Sequence, residues 1–229
     1  MKNNYNLEKI IDSLYNKGHT NFIVPKELIT IQGKLNKKEY NIYKPYPEAT
    51  KVILYQKEIP KIKIFKIVSK IQLRHQDILG TILSLGIKED TFGDIIKYQD
   101  DFYFFVLTSL EEYFKLNLTQ VRNNNIELEE IPLSFSTNFI QEYTSKEYIV
   151  SSLRLDNIIS SIIGDSRKNV LDKFKNKEII LNYDENIKPT RILKENDVFS
   201  IRKYGKYKYT GIKKTTKKGS FIIEIKKYI

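Results

Sequence analysis

The sequence predicts an α+β chain of three small domains: an N-terminal α/β unit over residues 1–70, an α/β sandwich over 71–147, and two short helices followed by a run of strands over 148–229. Three observations carry this. Amphipathic helical stripes and short strand-like runs alternate along the whole chain, which fits neither an all-helical nor an all-strand class. At 229 residues the chain has room for two or three small domains, each with a modest core. Charge also divides it: Val150 to Ile229 holds 19 Lys and Arg against 9 Asp and Glu, whereas Met1 to Ile149 holds 20 against 19.

In the first unit Leu7, Ile10, Ile11 and Leu14 follow the spacing of an amphipathic helix, which Gly18 ends. Phe22-Ile23-Val24, Ile29-Thr30-Ile31, Lys51 to Tyr55 and the alternating Ile62 to Ile67 read as short strands. Pro25, Pro45, Pro47 and Pro60 fall between them, where a missing amide donor does least harm.

The second unit begins near Ile71. Ile78, Leu79, Ile82 and Leu83 share one face of a helix that starts near His75-Gln76-Asp77 and stops at Gly86. Asp94 to Tyr98 and Phe102 to Leu107 predict a hairpin around Gln99-Asp100-Asp101, followed by a helix from Thr108 to about Leu116. Thr108 and Glu111 have the spacing of a capping box. Ile126 to Ile131 adds a strand, and the polar stretch Leu133 to Lys146 reads as the linker.

In the third unit Leu155, Ile158, Ile159, Ile162 and Ile163 make a helical stripe with Gly164 as its C-cap. Asp165 or Ser166 caps a second helix, with Val170 and Phe174 one turn apart. Strands are expected at Glu178–Asn182, Val198–Arg202, Lys206–Tyr209 and Ser220–Ile225, with a basic turn at Lys213 to Gly219.

Composition removes several function classes. Without cysteine there is no disulfide, thiolate metal site or thiol nucleophile, and His19 and His75 are the only imidazoles. Hydrophobic residues at 41% and aromatics at 12% exclude a disordered chain. No apolar run approaches the roughly 20 residues needed to span a bilayer, and the polar start at Met1 to Asn6 is unlike a signal core, so a soluble cytoplasmic protein is expected. Nucleophile-elbow, zincin, dinucleotide and phosphate-loop motifs are all missing. His75 with Asp77 reads as a helix start, and Asp100-Asp101 and Glu129-Glu130 as solvated carboxylates. No catalytic residue, metal or cofactor is expected. The wealth of Lys, Asn and Ile matches AT-rich coding, which by itself raises the pI, so the uneven distribution of charge matters more than its sum.

Within the basic third unit Arg167 and Lys168 fall in the first turn of a helix, beside free backbone amides that attract anions, and Lys173, Lys175 and Lys177 extend the positive surface. Arg154 either pairs locally with Asp156 or stands beside Arg167, offering the planar fork that suits phosphate. Arg202-Lys203-Tyr204-Gly205-Lys206-Tyr207-Lys208-Tyr209 interleaves cations with rings, either to stack on unpaired bases or to pack tyrosines on a sheet.

Val150 to Asp156, Ser166-Arg167-Lys168, Asn182, Asp197 and Arg202 to Tyr207 resemble the S-four domain, an RNA-binding fold of two short helices on a small bent sheet. His75 to Ile87, followed by Phe92-Gly93-Asp94-Ile95, resembles the middle-domain signature of the YlmH-type proteins of bacteria. Two departures stand out. Tyr43-Lys44-Pro45-Tyr46-Pro47 replaces a Gly-containing basic turn, and Lys177 stands where such domains commonly have Gly, which strains the chain if the turn needs φ > 0.

The resemblance implies an RRM-like, RNA-binding central domain and an RNA surface that includes Arg154, Ser166, Arg167, Lys168, Lys173, Lys175, Lys177, Asn182, Arg202, Lys203, Lys206, Tyr207 and Lys208. It further implies a monomeric, ribosome-associated, non-enzymatic factor that binds large-subunit ribosomal RNA and tRNA, with a partner factor directing alanine tailing of stalled nascent chains. An RNA-modifying enzyme of the pseudouridine synthase or methyltransferase class and a cell-division adaptor are the alternatives.

Overall fold

The computed structural model describes residues 2–140 and 142–229, with side chains from Leu7 onward. The fold is α+β and divides into two compact units, Met1–Ile140 and Gln141–Ile229.

In the first unit, helix α1 (Lys2–Lys17) buries Leu7 and Leu14 and ends at Gly18, as its periodicity predicts. The segment read as a strand at Ile29-Thr30-Ile31 is instead helix α2 (Pro25–Gln32). Pro25 takes the first helical position, where its lost N–H is not needed, and the Glu27 carboxylate accepts the Val24 amide at 3.1 Å. Proline here starts an element where the sequence reading had it separate two. Strand β1 (Asn41–Tyr43) pairs antiparallel with β2 (Ile53–Tyr55), and Ile23 makes a single bridge to Val52.

The next elements are β3 (Ile62–Ser69), α3 (His75–Ser84), β4 (Phe92–Tyr98), β5 (Asp101–Leu107), α4 (Glu111–Asn117), β6 (Gln120–Val121) and β7 (Asn124–Ile131). Their sheet order is β4-β5-β3-β7-β6, a split β-α-β-β-α-β arrangement with a short extra strand at one edge. The alternating strand that the sequence assigned to the first domain is thus the centre of this sheet. A cut between residues 70 and 71 would part β3 from β5 and β7, to which it is bonded on either side. The capping box at Thr108 does not form: Thr108–Leu110 is a 3-10 turn, the buried Thr108 hydroxyl has no partner, and Glu111 pairs with Lys115 at 2.6 Å.

Alternation along β3 and β5 gives the sheet two apolar faces. Phe65, Ile67, Phe104 and Val106 pack under α3 and α4. Ile64, Tyr103 and Phe105 face Phe22, Ile53, Tyr46 and Phe139. Phe139 follows a 3-10 turn, Leu133–Asn138, inside the stretch read as a linker, and β8 (Tyr143–Val150) begins there too. Serines and threonines hid two rings, Phe135 and Phe139, which lie 5.6 and 5.1 Å from Tyr103.

The second unit continues with α5 (Leu155–Ile163), α6 (Arg167–Lys175), β9 (Ile179–Leu181), β10 (Val198–Ile201), β11 (Gly205–Thr215) and β12 (Phe221–Tyr228). The antiparallel sheet runs β8-β12-β11-β10-β9, bent by two register shifts between β11 and β12. Leu155, Ile158, Ile159 and Val170 press onto Phe199, Tyr207, Tyr209, Ile223 and Ile225. Gly164 at φ 67° turns the chain between the helices. Lys177 does adopt the left-handed region, at φ 55°.

Two stability outcomes follow from this packing. Phe139→Ala removes a ring in contact with the rings of Tyr46, Tyr98, Tyr103, Phe105 and Phe135, and urea unfolding should show a loss of about 3–5 kcal/mol. Lys177→Gly relieves a left-handed lysine and should raise stability by about 1 kcal/mol in the same assay.

Candidate nucleic-acid interface

Asp156 lies in the first turn of α5, and its side chain is only 3% exposed. A carboxylate so placed stays charged only if it is paired. Arg154 donates to it from Nε and Nη2 at 3.1 and 2.7 Å, and Arg167 from Nη2 at 3.4 and 3.3 Å. The sequence left local pairing of Arg154 and its placement beside Arg167 as alternatives, and the structure has both at once. Burial alone pushes the Asp156 carboxyl up. The hydrogen bond from Arg154 and the charges of Arg167 and Arg154 outweigh burial and hold it below the ordinary carboxylate range. The two arginine side chains keep 37% and 53% exposure, so donors of both forks still reach solvent.

The first turn of α6 is not an open anion cradle. Ser166 Oγ accepts the Asn169 amide at 3.2 Å, and Asp165 accepts both the Ser166 amide and the Asn169 side chain at 2.7 Å. Ser166 is therefore occupied as a helix cap, and the cationic groups of that turn, Arg167 and Lys168, are left to act through their side chains.

The remaining candidates separate by partner. Lys173 pairs with Glu178 at 3.5 Å, Lys175 with Asp172 at 2.9 Å and Lys177 with Glu185 at 2.8 Å, so these three are largely neutralised. Lys168, Arg202, Lys203 and Lys208 form no ion pair among the described residues. Asn182 donates to the buried Asp197 at 2.7 Å and accepts the Val198 amide at 2.9 Å, which commits both ends of its amide to the turn. Tyr207 is 5% exposed and stacks on Phe199 with ring centroids 5.5 Å apart, so its faces are closed to a base. Of the two readings of that segment, tyrosines packed on a sheet holds for Tyr207 and Tyr209.

The candidates do not all share one face. Tyr207 and Tyr209 point toward the helices, so alternation sends Lys206 and Lys208 to the opposite face of the sheet. There Lys208 is the cross-strand neighbour of Lys226, and Lys206 lies 4.5 Å over the Tyr228 ring. Lys226, which lies just past the last strand-like run in the sequence, was missed for that reason.

In the first unit, the sheet face that RRM domains use to stack bases is shut. The Tyr46 ring stacks on Phe105 at 5.8 Å, and Phe135 and Phe139 cover Tyr103. Asp77, in the first turn of α3, is held by the side chains of Arg74 at 2.9 Å and Arg122 at 2.7 Å and makes no side-chain cap, and Asp101 pairs with Lys66 at 2.7 Å. No cluster of three or more His, Asp or Glu suited to a metal occurs among the described residues, nor any helix long and apolar enough to cross a membrane.

Because the folded-state pKa of Asp156 is depressed, its contribution is complete above the unfolded carboxylate value of about 4 and is lost as pH falls through the lower folded value. Thermal unfolding from neutral to acid pH should show Asp156→Asn less stable than wild type near neutrality, with the two curves converging in acid. Curves that stay parallel would remove Asp156 from the acid response.

Comparison with known proteins adds a match to the central domain. Residues 56–135 match the family model described as "Putative RNA-binding domain in YlmH". The chain is similar to the ribosome-associated protein quality control protein P2 of Bacillus subtilis (strain 168), at 30% identity over 148 residues. That match takes in 65% of this chain and 58% of the relative's length. Among solved structures, a cell division protein ylmH from Streptococcus pneumoniae matches with 21% identity and a TM-score of 0.45, covering 58% of this chain and 90% of that one. The family match is thus confined to the central domain, residues 56–135, and the chain spans less than two thirds of the length of the curated relative it resembles.

Proposed function

We propose that the chain is a non-enzymatic, RNA-binding factor of the translation machinery. Its second unit acts as an S-four-type domain on large-subunit ribosomal RNA and tRNA during quality control of stalled nascent chains. The observation that carries this reading is the pair of solvent-reaching guanidiniums fixed on one buried carboxylate, with the unpaired Lys168 beside Arg167. Arginine forks match phosphate oxygens in bidentate fashion, and two forks held by one anchor are oriented before the ligand arrives. The order of two short helices and a bent sheet supports the S-four reading. The name of the Bacillus relative supports the setting. A partner factor that directs alanine tailing, a monomeric state and a cytoplasmic location belong to the same reading.

The test is sedimentation of the protein with ribosomes from normal and stalled-translation lysates. It should travel with large subunits at low salt and leave them as salt rises. A protein that stays at the top of both gradients would sink the proposal. In direct RNA titrations, Lys168→Ala and Arg167→Ala should each reduce the slope of log K against log salt by about 1, the mark of one lost phosphate contact. An unchanged slope would take that residue out of the interface.

A further inference from the structure

A groove of about 600 Å³ opens between the C-terminal end of α5 and the sheet beneath it. It lies about 10 Å along the helix from Asp156, given the α-helical rise per residue. Ile162 and Ile163 form its apolar wall, and Lys146, Lys203 and Lys227 reach it from β8, the turn before β11 and β12. No carboxylate lines it. None of the three lysines forms an ion pair among the described residues. Three ammonium groups around one hollow repel each other, and an anion between them reverses the sign of that interaction.

The groove also presents aromatic surface. Tyr204, 39% exposed, stands at the tip of a turn whose geometry is fixed from both sides. The buried Tyr207 hydroxyl donates to the Tyr204 carbonyl at 3.1 Å, and Gly205, at φ 124°, lies so close to Lys227 that an added Cβ would meet its Cε at 3.0 Å. Tyr148 contributes a second, half-buried ring with the Lys146 ammonium 5.3 Å from its centre.

We infer that this groove receives an unpaired nucleotide of RNA, with its phosphates among Lys146, Lys203 and Lys227 and its base against Tyr204. A base inside a duplex cannot offer its face to a ring in a hollow, whereas an unpaired one can, and stacking on tyrosine accepts any base. The inference rests on the RNA-binding reading and gives that reading a substrate class: RNA with a single-stranded segment beside the phosphates that Arg154 and Arg167 engage.

The experiment titrates the full chain with two labelled RNAs, a blunt hairpin and the same hairpin carrying a short unpaired extension. Wild type should bind the extended hairpin about tenfold more tightly, as stacking of a single base allows. The Lys146→Ala/Lys227→Ala variant and Tyr204→Ala should each reduce that advantage to about twofold or less and leave the blunt hairpin nearly as well bound, while Tyr204→Phe keeps the advantage. If wild type binds both hairpins equally, or the advantage survives both alanine variants, the groove is not a nucleotide site and the RNA-binding reading stands without it. If wild type binds neither hairpin, the RNA-binding reading fails and this inference fails with it.

Discussion

The second unit is organised around a carboxylate that is almost entirely withdrawn from water. Asp156 sits between the core residues Leu155 and Ile158, and the hydrophobic stripe that buries them takes it inside as well. Once there it needs donors on every accessible side. Arg154 meets it from the N-cap position of the helix, and the sharp turn at Gly164 brings α6 back so that Arg167 meets it from across the hairpin. The leading amides of α5 are used as well, with Leu155 donating to the Arg191 carbonyl at 2.8 Å and Asp156 to that of Pro189 at 2.9 Å. One buried charge thus ties together two helices and holds two guanidiniums where their remaining donors face outward, while the helix's leading amides hold the loop ahead of β10.

The first unit handles charge differently. Lys63 pairs with Glu130, Lys66 with Asp101, and Arg74 and Arg122 share Asp77, which leaves little unbalanced potential. Its buried cation, Lys51, donates to the carbonyls of Glu89 and Phe92 at 2.8 and 3.0 Å. Burial lowers its affinity for the proton, and the nearby Glu89, Asp94 and Asp90 work against that loss. The signature Phe92-Gly93-Asp94 has a structural reading here. A Cβ on Gly93 would lie 2.9 Å from that of Phe105, and Asp94 accepts the Tyr46 hydroxyl and the Thr50 and Lys51 amides. These contacts hold the segment around Tyr46 over the sheet, so a domain with RRM-like order has its stacking face filled by its own chain.

The sequence was most legible where periodicity and caps agreed, as in the stripe from Leu155 to Ile163 with Gly164 behind it. It was least legible where one residue type serves opposite ends. Pro25 reads as a break and acts as a start, because the first helical position needs no amide. Phe135 and Phe139 were hidden because a six-residue 3-10 helix rich in serine and threonine is too short to show a period. In the candidate site, Ser166-Arg167-Lys168 was found by composition, but whether a lysine is free depends on carboxylates distant in sequence: Lys177 is paired by Glu185, and among the described residues none plays that part for Lys203. Lys146 and Lys227 lay outside every run that read as a strand, so their meeting across the sheet had no local signature.

The lysines themselves bear on whether the basic charge is an accident of coding. A uniform compositional push would fill positions where the backbone is indifferent to the residue. Lys177 and Lys203 occupy left-handed conformations, φ 55° and 71°, where a side chain costs about 1 kcal/mol relative to glycine. Both border a second hollow, of about 580 Å³, together with Arg202 and Lys206. The two turns differ in their charge: Lys177 is paired with Glu185, whereas Lys203 forms no ion pair among the described residues. Under the RNA-binding proposal, Arg202 and Lys203 are the cations this rim would offer to a phosphate chain, beside the carboxylate of Glu178.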